Sequence, residues 1–110
     1  MSDTTAGVAT PEVTMVTMAF DTAEPDRLLR LLAKYVVVSR GHPGCRNIDL
    51  CASLTASGRI VIVQKWASPA DQRRHFDSPA MIEMADACRG LLLAPPAIDL
   101  LAGLSAHDPN

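Results

Sequence analysis

The sequence predicts a single α+β domain of the ferredoxin-like type, with the element order βαββαβ and a four-stranded antiparallel sheet. Three observations predict this fold. The chain has 110 residues, of which 48% are hydrophobic and 20% are charged, and this suits one globular domain. Segments of strand-like and helix-like periodicity follow one another in the stated order. The connections are short, and right-handed connections of this kind place the helices on one face of the sheet.

The first strand is predicted over Val13–Phe20, which is rich in β-branched and apolar residues. Successive side chains point to opposite faces, and here both faces are mostly apolar. We therefore expect helices to cover one face, and a second copy of the chain to cover the other in a two-fold homodimer.

The first helix is predicted from Pro25 to near Gly41. Leu28, Leu31, Leu32 and Tyr35 recur at helical spacing and form an apolar stripe. Proline suits a first helical turn, and the glycine ends the helix.

The next two strands are predicted to form a hairpin. Residues 45–54 alternate between apolar and polar side chains, as in a half-buried strand. The turn-forming sequence TASG at 55–58 connects them to the strand at 59–66. The last strand is predicted at 97–104.

The triplet Ser-Pro-Ala begins a helix twice, at Ser68 and again at Ser78. In each copy, serine can cap the first turn and proline occupies the first helical position. The first helix should run to about Phe76, and the second should begin at Pro79 and continue past Cys88 to the prolines at 95–96. A proline cannot supply an interior amide hydrogen bond, so we expect a break at 77–78 that leaves a pocket above Trp66.

Trp66 and His75 stand beside this break, and each has two interpretations. His75 is either a helix-end residue or a general base that titrates near neutral pH. Trp66 is either a core or dimer-interface residue or one wall of a slot for a planar substrate. Met81 and Met84 are core residues or an adaptable pocket wall. Asn47 and Gln64 are polar strand residues, either at a surface or interface or facing a ligand.

Composition excludes several classes of function. The formal net charge is −2 and there is no basic block, so a nucleic-acid partner is not expected. No apolar run is long enough to span a membrane, and residues 1–12 lack the pattern of a signal peptide. We expect 1–12 and 105–110 to be tails around a domain at 13–104, and a cytoplasmic location.

The cysteines predict neither disulfides nor zinc. They are three in number and form no Cys-x-x-Cys pair. His42, Cys45 and Cys51 lie close in sequence, but a fourth ligand is missing. We therefore expect free thiols and no metal.

The pattern formed by Pro43-Gly44, Lys65-Trp66 and His75-x-x-Ser78-Pro79 resembles the antibiotic biosynthesis monooxygenase (ABM) domain family. The resemblance covers about residues 13–104. It implies a dimeric α+β barrel, and some members of that family oxygenate quinols or polycyclic phenols without metal, flavin or other cofactor.

The resemblance also implies roles for individual residues. His75 would remove a phenolic proton and Trp66 would orient the substrate ring. Gln64 or Asn47 would hydrogen-bond a substrate oxygen. The pocket wall would be formed by Met81, Met84 and Ile62.

The sequence departs from the family pattern at three positions. Gln64 replaces the usual glutamate, Ile48 replaces a common tyrosine, and Ile62 lies on a strand that lacks the asparagine of oxygenating members. Three hypotheses follow: a cofactor-independent quinol or phenol monooxygenase, a dimeric binding module for an apolar metabolite, and a haem-binding or haem-degrading protein. The haem branch of the family uses an asparagine on the first strand, which is absent here, and a later helical histidine near the position of Met84.

Overall fold

The computed structural model describes residues 13–105, so most of the two predicted tails lies outside the described residues. The elements are β1 (Val13–Asp21), α1 (Pro25–Ser39), β2 (Cys45–Ala52), β3 (Arg59–Trp66), α2 (Pro69–Phe76), α3 (Pro79–Ala87) and β4 (Ala97–Gly103). The four strands form one antiparallel sheet in the order β2-β3-β1-β4. The predicted α+β, ferredoxin-like topology is confirmed.

The core lies between the sheet and the three helices. β1 and β3 direct alternate side chains toward the helices, and the register pairs Val16 with Gln64 and Met18 with Ile62 on that face. Leu28 and Leu32 of α1 are fully buried against these strands. Each buried leucine contributes roughly 1.5–3 kcal/mol relative to an exposed one, so the apolar stripe of α1 fixes this helix on the sheet.

Both predicted serine caps are present. Ser68 Oγ accepts a hydrogen bond from the Asp71 amide at 3.1 Å, and Ser78 Oγ accepts one from the Met81 amide at 3.3 Å. The first helix of the pair ends at Phe76, as predicted, and Asp77 caps its carboxyl end. The doubled Ser-Pro-Ala therefore encodes two short helices in succession.

α3 is shorter than the sequence predicts. It ends at Ala87, whereas the apolar periodicity suggested a helix that continued past Cys88. The following segment is held against the sheet instead, because Thr22 donates to the Leu91 carbonyl at 2.8 Å and the Leu93 amide donates to the Asp21 carbonyl at 2.8 Å. These contacts between distant parts of the chain outweigh the helical periodicity of 88–92.

The sheet face opposite the helices carries partly exposed apolar side chains, including Met15, Val61 and Val63. Leu101 on β4 belongs to the same face and is 45% exposed. Among the described residues, no helix has both the length and the apolar character needed to cross a membrane.

Candidate functional site

Five side chains form one continuous hydrogen-bonded cluster between the sheet and the helices. Trp66 Nε1 donates to Gln64 Oε1 at 2.8 Å, and Gln64 Nε2 donates to the Tyr35 hydroxyl at 2.8 Å. Tyr35 Oη lies 2.6 Å from His75 Nε2, and His75 Nδ1 lies 2.8 Å from His42 Nδ1. We call this set of residues the polar chain.

Four parts of the fold supply the polar chain. Gln64 and Trp66 are two residues apart near the end of β3, so they point to the same face of the sheet. Tyr35 lies in the later part of α1, His75 in the last turn of α2, and His42 in the turn that follows α1. The break between α2 and α3 ends α2 at Phe76, so His75 lies in its last turn and stacks on Trp66 of the sheet.

Within the part of the protein that the structure describes, His75 fills the space above Trp66 where the sequence predicted a pocket. The two rings stack with their centroids 4.5 Å apart and their planes at 28°. Trp66 is 0% exposed and His75 is 3% exposed. Beyond His75 lies a smaller cavity of about 160 Å³, lined by His42, Pro43, Asp71, Arg74, His75 and Ser78.

The directions of the hydrogen bonds in the polar chain depend on the indole of Trp66 and on the tautomer of His75. An indole N–H can only donate, so the oxygen of Gln64 faces Trp66 and its NH₂ group faces Tyr35. The Tyr35 oxygen accepts that bond, and in the tautomer of His75 that leaves Nε2 unprotonated, the Tyr35 hydroxyl donates to His75 Nε2. In that tautomer His75 carries its proton on Nδ1 and donates it to His42 Nδ1.

Burial keeps the polar chain uncharged. Desolvation, together with the charge of nearby His42, lowers the pKa of His75 from 6.5 to about 4. Burial also raises the pKa of Tyr35 to about 12, against the opposing effects of the Gln64 amide and the nearby Ser39 hydroxyl. At neutral pH the two buried titratable members of the polar chain are therefore the neutral phenol of Tyr35 and the neutral imidazole of His75.

A larger apolar cavity of about 510 Å³ is lined by residues of β1, α3, the segment that follows α3, and β4. Its lining includes Met18, Phe20, Met81, Met84, Cys88 and Ile98. Arg89 is at its edge, paired with Asp86 at 3.2 Å. Burial raises the pKa of the Cys88 thiol, so Cys88 is neutral and Arg89 is the charged side chain of this lining.

The structure divides the predicted site residues into four groups, the last of which is Asn47 alone. Trp66, Gln64 and His75 come together in the polar chain. Met81 and Met84 line the larger cavity, whereas Trp66 and His75 do not. Ile62 is fully buried in the core beneath the helices.

Asn47 is the predicted site residue that the structure separates from the others. It pairs with Lys65 on β3, one residue out of phase with Gln64, and so it lies on the opposite face of the sheet. There it is exposed and donates to Asp49 Oδ2 at 2.9 Å. It therefore takes no part in the polar chain or in the cavity.

Sequence reasoning gave Tyr35 and His42 no place in this site. Tyr35 matches the apolar stripe of α1, and the sequence position of His42 beside Cys45 and Cys51 suggests only a zinc ligand. Within residues 13–105, no group of three or more histidine, cysteine or acidic side chains is placed to hold a metal ion. A polar residue at 64, on a strand face that is otherwise apolar, was the available indication that a buried partner existed.

A family model of antibiotic biosynthesis monooxygenases matches residues 13–87. Rv0793 from Mycobacterium tuberculosis is similar in structure, with a TM-score of 0.78 and 26% identity over 87% of this chain and 99% of that one. A Nitrosomonas europaea protein assigned as an antibiotic biosynthesis monooxygenase has a TM-score of 0.82 and 13% identity over 89% and 96% of the two chains. SnoaB from Streptomyces nogalater, a cofactor-independent oxygenase, has a TM-score of 0.69 and 20% identity over 81% and 89%. No match was found among curated proteins.

Proposed function

The chain belongs to the antibiotic biosynthesis monooxygenase family, and from that premise we propose that it oxidises a small quinol or phenolic aromatic compound with O₂ and without a cofactor. The observation that carries the proposal is the apolar cavity of about 510 Å³. Binding sites for small molecules commonly have volumes of about 300–1,000 Å³ and apolar walls. The cofactor-independent activity of the structurally similar SnoaB supports the same reaction class.

The walls of the cavity suit a planar apolar substrate. Phe20 offers a ring for stacking, and Met18, Met81 and Met84 offer flexible thioethers that adapt to the shape of a ligand. Arg89 is the one charged residue of the lining, and in this proposal it favours a substrate oxygen that develops negative charge.

The reaction needs no redox group from the protein, because the substrate supplies the electrons. With an anthrone, a methylene carbon loses two hydrogens and gains one oxygen atom of O₂ as a carbonyl. The second oxygen atom leaves as water. Removal of a proton gives the electron-rich anion that reacts with O₂, and an apolar cavity shields the intermediate from water.

We assign His75 and Trp66 an indirect part in this chemistry. Both nitrogens of His75 are engaged, one with Tyr35 and the other with His42, so in this proposal a substrate proton reaches the imidazole through the phenol. Tyr35 and Met84 both line a crevice of about 240 Å³, and Met84 also borders the larger cavity. In this proposal Gln64 and Trp66 orient Tyr35, and Gln64 does not bind the substrate.

Oxygen consumption with a panel of quinols and anthrones tests the proposal. Ile98→Trp should fill the mouth of the cavity without overpacking the core, since Ile98 lines the cavity and is 39% exposed. We expect KM to rise roughly tenfold or more, the effect of about 1.4 kcal/mol of lost binding. Leu100→Trp is the matched control, because Leu100 lies two residues along the same face of β4 and is 61% exposed. Equal effects of the two variants, or no turnover of any compound, would contradict the proposal.

We propose further that a second copy of the chain covers the open face of the sheet. The partly exposed apolar residues Met15, Val61 and Val63 support this, and a typical interface buries about 800 Å² on each partner. Val63→Glu should give a monomer in analytical ultracentrifugation, since it places a charge in the middle of that face. Val37→Glu, at a helix position that is 68% exposed, should leave the dimer intact. A monomeric wild-type protein would refute this assembly.

A second candidate function is a binding module that holds an apolar metabolite without converting it. The favouring observation is that the cavity has no free acid or base: Arg89 is paired with Asp86, and the Cys88 thiol is held neutral by burial. A thermal shift on addition of a quinol analogue, with no oxygen consumed, would select this function. A Soret band on addition of haem would select the haem-binding hypothesis instead.

A further inference from the structure

His42 is the outer end of the polar chain. Its Nδ1 contacts His75, while its Nε2 makes no hydrogen bond within residues 13–105. The residue is half-buried and lines the small cavity of about 160 Å³. It is therefore the one member of the chain whose free nitrogen can exchange a proton outside the buried interior.

Ser39 is the second observation. It lies one helical turn after Tyr35 on α1, so the two side chains share a face of the helix. The Ser39 hydroxyl is fully buried and has no hydrogen-bond partner among the described residues. A buried hydroxyl without a partner is rare, and it supplies a spare acceptor beside the phenol.

We infer that His42 is the acid–base residue of the polar chain, and that protonation of His42 reverses the hydrogen bonds that join it, through His75, to Tyr35. A charged imidazole carries protons on both nitrogens. His42 Nδ1 must then donate to His75 Nδ1, and neutral His75 must move its own proton to Nε2. His75 Nε2 donates to the Tyr35 oxygen, and the Tyr35 hydroxyl turns to Ser39.

The two arrangements join His42, His75 and Tyr35 by hydrogen bonds of opposite direction, and only the second also pairs Ser39. In the first, Tyr35 donates to His75 and the Ser39 hydroxyl is unpaired. In the second, the Tyr35 oxygen accepts from both Gln64 and His75 and donates to Ser39. His42 carries the added proton, while His75 only exchanges one nitrogen for the other. No charge has to move to His75 or Tyr35, the buried members of the polar chain, and the large cost of desolvating an ion is avoided.

Two charged residues line the small cavity beside the histidine pair. Asp71 and Arg74 of α2 line the small cavity and pair with each other at 2.9 Å, so their charges largely compensate. On the inner side the titratable neighbours are Tyr35 and Cys45, and burial raises the pKa of each. Both stay neutral in the pH range where a histidine is charged.

This inference rests on the proposed function only for its part in turnover, where the proton removed from a substrate would leave through His42. The change in tautomer needs no substrate. It is therefore tested on the free protein, and a failure to find any oxidised quinol would leave the test unaffected.

The experiment is a pH titration of ¹⁵N-histidine-labelled full-length protein by long-range ¹H–¹⁵N NMR, from about pH 8 to pH 5, the range in which histidines titrate. The chain has three histidines, and His107→Gln and His42→Gln assign their signals. We expect His75 to be protonated on Nδ1 at the upper end. As His42 becomes charged, the proton of His75 should move to Nε2 in the same step while the ring stays neutral.

Ser39→Ala is the matched control. It removes only a hydroxyl that has no partner in the first arrangement, so it should not disturb folding. It takes away the acceptor of the second arrangement, an interaction typically strong enough to move a protonation midpoint by about half a pH unit or more. We expect the His75 switch to move to lower pH by that amount or to disappear. An unchanged His75 tautomer while His42 becomes charged, or an unchanged switch in Ser39→Ala, would overturn the inference.

Discussion

Acidification should destabilise this protein through His75, the buried imidazole that stacks on Trp66. In the unfolded chain a histidine binds a proton near its ordinary pKa of 6.5, whereas in the folded protein the pKa of His75 is about 4. Between these values the unfolded state binds more protons than the folded state, so the free energy of unfolding decreases as the pH falls. The contribution is fully present above pH 6.5 and is lost as the pH falls through about 4.

The size of this effect follows from the two pKa values. The difference between 6.5 and about 4, at 1.36 kcal/mol for each tenfold change in proton affinity, corresponds to roughly 3 kcal/mol. His75 borders the small cavity beside His42, where solvent screens part of its charge. We therefore expect a loss of about 2 kcal/mol from this residue between neutral pH and pH 4.

Urea unfolding at a series of pH values measures this loss, and Trp66, the sole tryptophan, reports it by fluorescence. His75→Gln is the reference variant, since glutamine can still accept from Tyr35 but does not become charged. It should be less stable at neutral pH, yet lose about 2 kcal/mol less than the wild type on acidification. Both proteins are compared at one concentration, because association changes apparent stability. Equal losses in the two proteins would refute the reasoning.

Two further predictions concern the same region. Tyr35→Phe removes the hydroxyl that joins His75 to Gln64 in the polar chain. The buried groups left unpaired should lower the free energy of unfolding, measured by urea titration, by about 2–4 kcal/mol. Wild-type stability in this variant would contradict the prediction. Gly44→Ala should lower the melting temperature more than Gly90→Ala. Both glycines have positive φ, 81° and 76°. A Cβ at position 44 would lie 2.3 Å from the Asp71 carboxylate, whereas a Cβ at position 90 would meet nothing within 4 Å. The second variant should cost only about 1–2 kcal/mol of backbone strain, and equal losses would show that the contact with Asp71 is relieved.

The order of elements could be predicted because it depends on local periodicity and on caps. The strand at 59–66 and the helix at 69–76 were both predicted with their observed ends, since the cap serines, prolines and turn residues act within a few positions of each other. The end of α3 could not be predicted in this way. It is set by hydrogen bonds from Thr22 and to Asp21, which are about seventy residues away in the chain.

The candidate site was only partly predictable for the same reason. Trp66, Gln64 and His75 have side chains unusual for their positions, and that was enough to select them. Tyr35 matched an apolar helical stripe, and only the packing of α1 beside α2 brings its hydroxyl to His75. Asn47 illustrates the converse, because strand register places it on the opposite face from Gln64.

The sequence by itself determined the topology of this protein, the double helix start at Ser68 and Ser78, and the family to which the chain belongs. These depend on residue types at short fixed spacings, which set local backbone geometry. Only the tertiary structure decided that His75 closes the space above Trp66, and that the large cavity lies beside Met81 and Met84 instead. Both outcomes depend on how side chains from separate elements fill a shared volume, and no local pattern in the chain encodes that filling.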